Sequence, residues 1–291
     1  MLEHLNTAPA KPGRVVIIGA GGFVGGAIRR RLEEEGVATL ALTRRELDLL
    51  QPGAARKLAA LLRPTDSVVM VSAIAPAKTT PLLVQNLTMA EAVCGALAGA
   101  GVAHLVYISS DAVYADDQNP VTEQSYCAPS TLHGMMHAAR ELMLKSAIAA
   151  PIAMLRPTLI YGAADPHNGY GPNRFRRQAA KGEPIAIFGD GDEQRDHVLV
   201  EDVAALAALI LARRSRGTLN AATGVATSFH DIAHMMAKQF DNRIAVQSVP
   251  RPGPRPHLAH RFFDITNCLK AFPGFRYTAL AEGLVRAGRS A

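Results

Sequence analysis

The chain has 291 residues, 48% apolar and 19% charged, enough for one large domain or two interleaved ones around a substantial core. Its net charge of +6 is modest. The arginines fall in scattered doublets (Arg44-Arg45, Arg176-Arg177, Arg213-Arg214) rather than in a run interleaved with aromatics, which argues against nucleic acid as a partner and suits small anions such as phosphates.

The opening MLEHLNTAPAKP lacks the apolar segment of a signal peptide. Cys94, Cys127 and Cys268 form neither a disulfide framework nor a thiolate zinc pattern, so a reducing, cytoplasmic location is expected. Residues 14–36 read as a buried strand, a glycine-rich turn and an amphipathic helix stopping at Gly36. A strand at 37–43, a helix at 53–63, a strand at 66–75, a helix near 82–100 and a strand at 104–109 follow. A helix around 130–149 and a strand at 152–157 continue the alternation, which predicts an α/β fold with a Rossmann-type, doubly wound parallel sheet. YGAADPHNGYGPN, from 161, is a loop suited to closing over a ligand, and VPRPGPRPH at 249–257 is a proline-punctuated linker. The most apolar helix candidate, VAALAALILA at 203–212, is too short to span a bilayer, so no membrane partner is expected. The expected division is a dinucleotide-binding domain of 13–160 plus about 198–222, and a smaller C-terminal substrate-binding lobe of about 161–197 plus 223–291.

In GAGGFVGG, Gly19, Gly22 and Gly25 stand between strand and helix, with Phe23 and Val24 inside the turn. Glycine there allows a tight turn, close approach of a pyrophosphate, and packing of helix on strand, with the phosphate at the positive helix N-terminus. A tight turn without a ligand is the alternative. The second strand ends at Thr43 without the carboxylate that would bind a ribose 2′-hydroxyl, and Arg44 and Arg45 follow. That pair suits a 2′-phosphate and so NADP rather than NAD; the competing reading is two solvated arginines.

Read together, GAGGFVGG, ELDLLQP, SVVMVSAIA, VYISSDAVYADDQNPVTEQ, MLRPTLIYG, IFGDGDEQRDHVLVEDVAA and LNAATG resemble the extended short-chain dehydrogenase/reductases, in their nucleotide-sugar epimerase, dehydratase and reductase branch. The resemblance runs over roughly residues 13–285. It implies adenine contact by Asp48 and Leu49, cofactor lining by Ser72, Ala73 and Pro157, and a catalytic hydroxyl at Ser110 with Ser109 beside it. It also implies diphosphate binding by Arg195, with Asn173 as a further substrate-side residue, and a homodimer through the helices near 82–100 and 130–149. Ser110 as a turn former and Arg195 as an ion-pair partner of Asp192 or Asp196 are the structural alternatives. Asp202 is expected to cap the 203–212 helix.

The family pattern after Pro-x-Ser is Tyr-Gly-x-x-Lys, with a glutamate four residues beyond the lysine; tyrosine moves the proton and lysine holds the nicotinamide ribose. Here Pro129, Ser130, Gly134 and Glu141 keep the frame, while His133 takes the tyrosine position and His137 the lysine position. Three readings stay open: His133 as substitute acid/base aided by Ser110; a catalytically impaired binder of NADP(H) or nucleotide-sugar, or an assembly partner; or a metal held by His133, His137 and Glu141. The lead expectation is an NAD(P)-dependent oxidoreductase or epimerase acting on a nucleotide-diphosphate sugar or a similar carbonyl/hydroxyl compound, without a metal.

Overall fold

The computed structural model describes residues 2–253 and 258–289. Its elements in chain order begin with β1 (Glu3–His4), β2 (Val15–Ile18), α1 (Phe23–Glu34), β3 (Thr39–Leu42), α2 (Ala54–Leu61), β4 (Ser67–Met70), α3 (Thr80–Ala100) and β5 (His104–Ile108). Next come α4 (Leu132–Ala147), β6 (Ile152–Pro157), β7 (Leu159–Tyr161), α5 (Pro172–Ala180), β8 (Ile185–Phe188), β9 (Gln194–Leu199) and α6 (Val200–Ala212). The last are β10 (Ser215–Ala221), β11 (Ala226–Ser228), α7 (Phe229–Lys238), β12 (Val246–Val249), α8 (Thr266–Ala271) and α9 (Leu280–Arg289).

The large sheet runs β1-β10-β6-β5-β4-β2-β3, parallel throughout except for β1. Central strands such as Val15-Val16-Ile17-Ile18 are buried on both faces, as parallel strands under two helical layers must be. Val15 and Ile17 face the α1/α6 layer, and Val16 and Ile18 face α2, α3 and α4. Gly36, at φ 67°, ends α1 in the left-handed region, and the Val37 N–H donates to the Leu32 carbonyl. The doubly wound sheet is therefore as the alternation predicts, while the two-residue edge strand β1 has too little pattern to be read from sequence.

Two smaller sheets, β11-β9-β7 and β12-β8, with helices α5 and α7, accompany a separate core that includes Tyr161, Phe175 and Phe229. Residues 254–257 of the proline-punctuated stretch lie outside the described residues. By length and composition α3, with 21 residues, is apolar enough to cross a membrane, a length the 203–212 stretch lacks. In the fold one face of α3, with Met89, Ala90, Val93 and Leu97, is buried in the core beside α2 and α4. Asp202 does not cap α6. Leu199 is the N-cap, and the Asp202 carboxylate instead accepts from the Thr278 N–H (2.8 Å) and hydroxyl (3.0 Å), fastening the C-terminal segment to α6.

Candidate active site

The sheet's order reverses between β2 and β4, and the loops leaving the C-terminal ends of β2, β3 and β4 come together there. That is where a doubly wound sheet opens a crevice. Gly19 sits at φ 100°, and a Cβ on it would stand 2.6 Å from the Ser72 nitrogen. A Cβ on Gly25 would strike the Gly19 carbonyl, so glycine alone lets the turn and α1 close together. Gly22 is the N-cap of α1 and brings no side chain over its first amides, and Gly21 and Gly22 are exposed. Phe23 and Val24 are half-buried and pack against the α1/α6 core. An open helix N-terminus behind a glycine cradle fits a dinucleotide pyrophosphate.

At the end of β3, Arg44 and Arg45 are exposed and line a depression with Asp48, Arg56 and Lys57. Asp48 accepts from the Leu50 N–H (3.1 Å) and Arg44 Nε (3.3 Å), and Leu49 is buried. Glu46, which sequence reading missed, folds back to accept from the Thr43 N–H at 2.9 Å, so an acid does stand at this corner. Ser72 is half-buried, its hydroxyl enclosed without a partner, Ala73 is exposed, and Pro157 is buried at the end of β6.

Ser110 caps a 3₁₀ turn, Asp111–Val113, its hydroxyl accepting from the Ala112 N–H at 3.1 Å. Helix α4 begins against this turn. Thr131 caps its N-terminus through the Gly134 N–H (3.1 Å), and a Cβ on Gly134 would collide with the Ala112 carbonyl. Ser110 and His133 therefore stand on abutting elements. His133 is half-buried, with its Nδ1 in a long contact (3.5 Å) with the Ala77 N–H. Burial, with His167 adding a smaller effect, pulls its pKa below the usual histidine value.

His137 is buried and turned inward. The Tyr107 hydroxyl meets its Nδ1 at 2.7 Å, and its ring lies 4.8 Å from that of His133, edge to face. Burial first, then His133 and Arg140, hold His137 well below the usual range. Burial pushes Tyr107 up to about 12, so it stays protonated and donates. The proton on His137 is thereby assigned to Nε2. Position 137 offers a neutral imidazole where the family pattern expects a cation. The Glu141 carboxylate turns away from both histidines, to Ser109 (2.7 Å) and Arg156 (2.6 and 2.8 Å).

On the lobe side, Arg195 donates to the Gln194 (2.8 Å) and Ala259 (3.0 Å) carbonyls and pairs with Glu193 at 3.5 Å. Glu193 also pairs with Arg251, a second arginine that sequence reading missed. Asp196 accepts from the Thr223 (2.9 Å) and Gly224 (2.7 Å) N–H groups. Asn173 is buried and bonds the Gly162 N–H (3.1 Å) and Ile160 carbonyl (3.3 Å), joining α5 to β7. Tyr107 and Arg140 were also missed. The available signals were a tyrosine inside a buried strand and an arginine on the inward face of α4.

The chain is similar to the GDP-L-fucose synthase of Escherichia coli (strain K12), 26% identical over 266 residues that cover 77% of this chain and 80% of that one. Among solved structures it resembles MoeE5 in complex with UDP-glucose and NAD, 25% identical, with a TM-score of 0.80 over 95% of this chain and 98% of that one. A GDP-L-fucose synthetase from Naegleria fowleri bound to NADP, 15% identical, shares the fold with a TM-score of 0.84 over 99% and 96% of the two chains. The family model described as NAD dependent epimerase/dehydratase matches residues 15–222. That match takes in the glycine turn, the Ser110 turn, α4 and the whole parallel part of the large sheet, and the chain belongs to the NAD dependent epimerase/dehydratase family.

Proposed function

We propose that this chain is an NADP-dependent oxidoreductase or epimerase acting on a nucleotide-diphosphate sugar, or a similar carbonyl/hydroxyl compound, with Ser110 and His133 handling the reacting oxygen. The observation that carries the reading is the junction of α4 with the Ser110 turn, which seats the helix bearing His133 directly against the turn that Ser110 caps. A bound nicotinamide dinucleotide supplies the hydride chemistry. Gly19, Gly22, Gly25 and the α1 amides would hold its pyrophosphate, Asp48 and Leu49 its adenine, and Ser72, Ala73 and Pro157 its remaining length. Four cations around the β3 corner (Arg44, Arg45, Arg56 and Lys57) favour the 2′-phosphate of NADP, although Glu46 stands beside them. Arg195, with Arg251 near it, is the candidate for the substrate diphosphate.

A histidine with a lowered pKa is mostly unprotonated at neutral pH, so His133 is poised as a base toward a substrate hydroxyl. Oxidation should then hold a plateau at neutral pH, and reduction should quicken as pH falls through the lowered pKa. The second reading, a binding module without turnover, draws on one observation: position 137 is buried and neutral, so no cation reaches from it toward a ribose.

The test is titration of NADPH and NADH, followed by assays with UDP- and GDP-sugars. We expect NADPH to bind more tightly and the preference to vanish in Arg44→Ala/Arg45→Ala. Turnover should fall by about 10²–10⁴ in His133→Ala while NADPH still binds. Ligand-induced stabilisation without turnover would favour the binding module, and a chain that binds neither dinucleotide would sink both readings. A homodimer belongs to the same proposal. Leu132, Met135 and Leu142 lie along one exposed face of α4, and Val84 is exposed on α3; sedimentation should show two copies.

A further inference from the structure

Arg140 is fully buried one helical turn beyond His137. Its Nη2 donates to the Ser72 carbonyl at 2.9 Å, Nη1 contacts the Met136 sulfur at 3.7 Å, and the guanidinium carbon lies 5.7 Å from the Tyr107 ring centre. Its Nε has no partner. Among the described residues no carboxylate lies within ion-pair distance of it, and the neighbouring Glu141 turns to Arg156 and Lys145. A guanidinium cannot shed its proton, so this is a permanent charge held in the core without a counter-ion. A position that served packing alone would be better filled by leucine or methionine.

We propose that Arg140 is the fixed cation of this site and acts as a positioning residue, pinning α4 to the Ser72 carbonyl behind the glycine turn and, together with burial, keeping His137 uncharged. Two contacts support the two halves. Ser72 is the residue against which Gly19 closes, so a shift of its backbone moves the cradle. On the other side, Arg140 and His137 both lie against the Tyr107 side chain, which fixes the tautomer of His137. Facing the pair are Tyr107 from β5, Arg140 from α4 and His167 from the loop after β7, while Cys94 from α3 faces Arg140 and Glu141 from α4 faces Tyr107. A permanent positive charge there disfavours a second one on His137, adding to the larger effect of burial that lowers its pKa.

The test uses Arg140→Met and Arg140→Lys in the full chain, with histidine-ring NMR titration, thermal melting and NADPH titration. The histidine arm needs no dinucleotide, so it stands even if the cofactor reading above, on which the NADPH arm rests, fails. Arg140→Met should melt no lower than the parent, raise the His137 titration midpoint by about one unit, and weaken NADPH binding about tenfold. Arg140→Lys should keep the parental histidine midpoint while only partly restoring NADPH affinity. A folded Arg140→Met chain with parental midpoint and affinity would overturn the proposal. Should that variant fail to fold, the lysine variant decides: parental NADPH affinity overturns the proposal, and weakened affinity with a parental midpoint supports it.

Discussion

Glu141 occupies the best-satisfied polar position near the site. Its two oxygens take the Arg156 fork at 2.6 and 2.8 Å and the Ser109 hydroxyl at 2.7 Å, all within the core. Arg156 in turn stacks on Tyr114 at 4.8 Å, and the Tyr114 hydroxyl donates to Asn220 (2.7 Å), so the pair links α4, β6 and β10. Removing one member strands a buried guanidinium, which costs far more than the intact pair contributes. Glu141→Ala should lower unfolding free energy by about 3–5 kcal/mol, and Glu141→Gln by clearly less, read by urea denaturation. A loss under about 1 kcal/mol for the alanine variant would mean that the Arg156 charge finds water or another partner. The glutamate could be found in the sequence by its place in the family frame. Its partner could not, because which way Arg156 faces depends on the register of β6 between β5 and β10.

Helix α4 is positioned by steric contact at its first turn as much as by hydrogen bonds along its length. Alanine is a better helix former than glycine by about 1 kcal/mol, so propensity alone predicts that Gly134→Ala would stabilise the chain. The contact opposes this. The added Cβ would run into the Ala112 carbonyl and stand 2.7 Å from the Pro129 Cβ, both on backbone-anchored groups with little room to yield. The first turn must then lift away from the Ser110 turn and carry His133 with it. We expect a net destabilisation of about 1–3 kcal/mol, a lower Tm, and a fall in kcat/KM larger than the stability loss explains. An unchanged Tm with unchanged activity would show that the two elements need not touch. This junction was half legible in the sequence. The glycine was placed in its frame, but the carbonyl it must clear lies 22 residues earlier in a turn that no periodicity announces.

Across the whole molecule, the repeated strand–helix rhythm and the glycine turn could be read directly because both are local patterns. Features made by contacts between distant segments could not. Tyr107 meets His137 across 30 residues, Arg140 meets Ser72 across 68, and β1 joins the sheet through Ser215 and Arg216. Burial of histidines is another such long-range property, and it gives the chain a predictable pH response. His104, whose Nε2 meets the Ser215 carbonyl at 2.6 Å, and His197, whose Nδ1 meets the Arg195 carbonyl at 3.2 Å, are both pushed by burial down to about 4. His133 and His137 move the same way. An unfolded histidine takes its proton near 6.5, so between about pH 6.5 and 4 the unfolded chain binds more protons than the folded one. Stability is therefore complete above that window and drains as pH falls through it, by up to about 1.4 kcal/mol per pH unit for each such histidine. Asp196 and Asp202, raised by burial, act in the opposite sense, because the folded state takes up their protons first and regains stability as pH falls. With four histidines against two carboxyls, we expect unfolding free energy from urea titration to drop by roughly 2 kcal/mol or more between pH 6.5 and 5. His104→Gln keeps a donor for the Ser215 carbonyl but cannot titrate, so its curve should be shallower by about one proton at most. A flat parental curve across this window would mean that these rings reach water, or a neighbouring acceptor, in the protonated state.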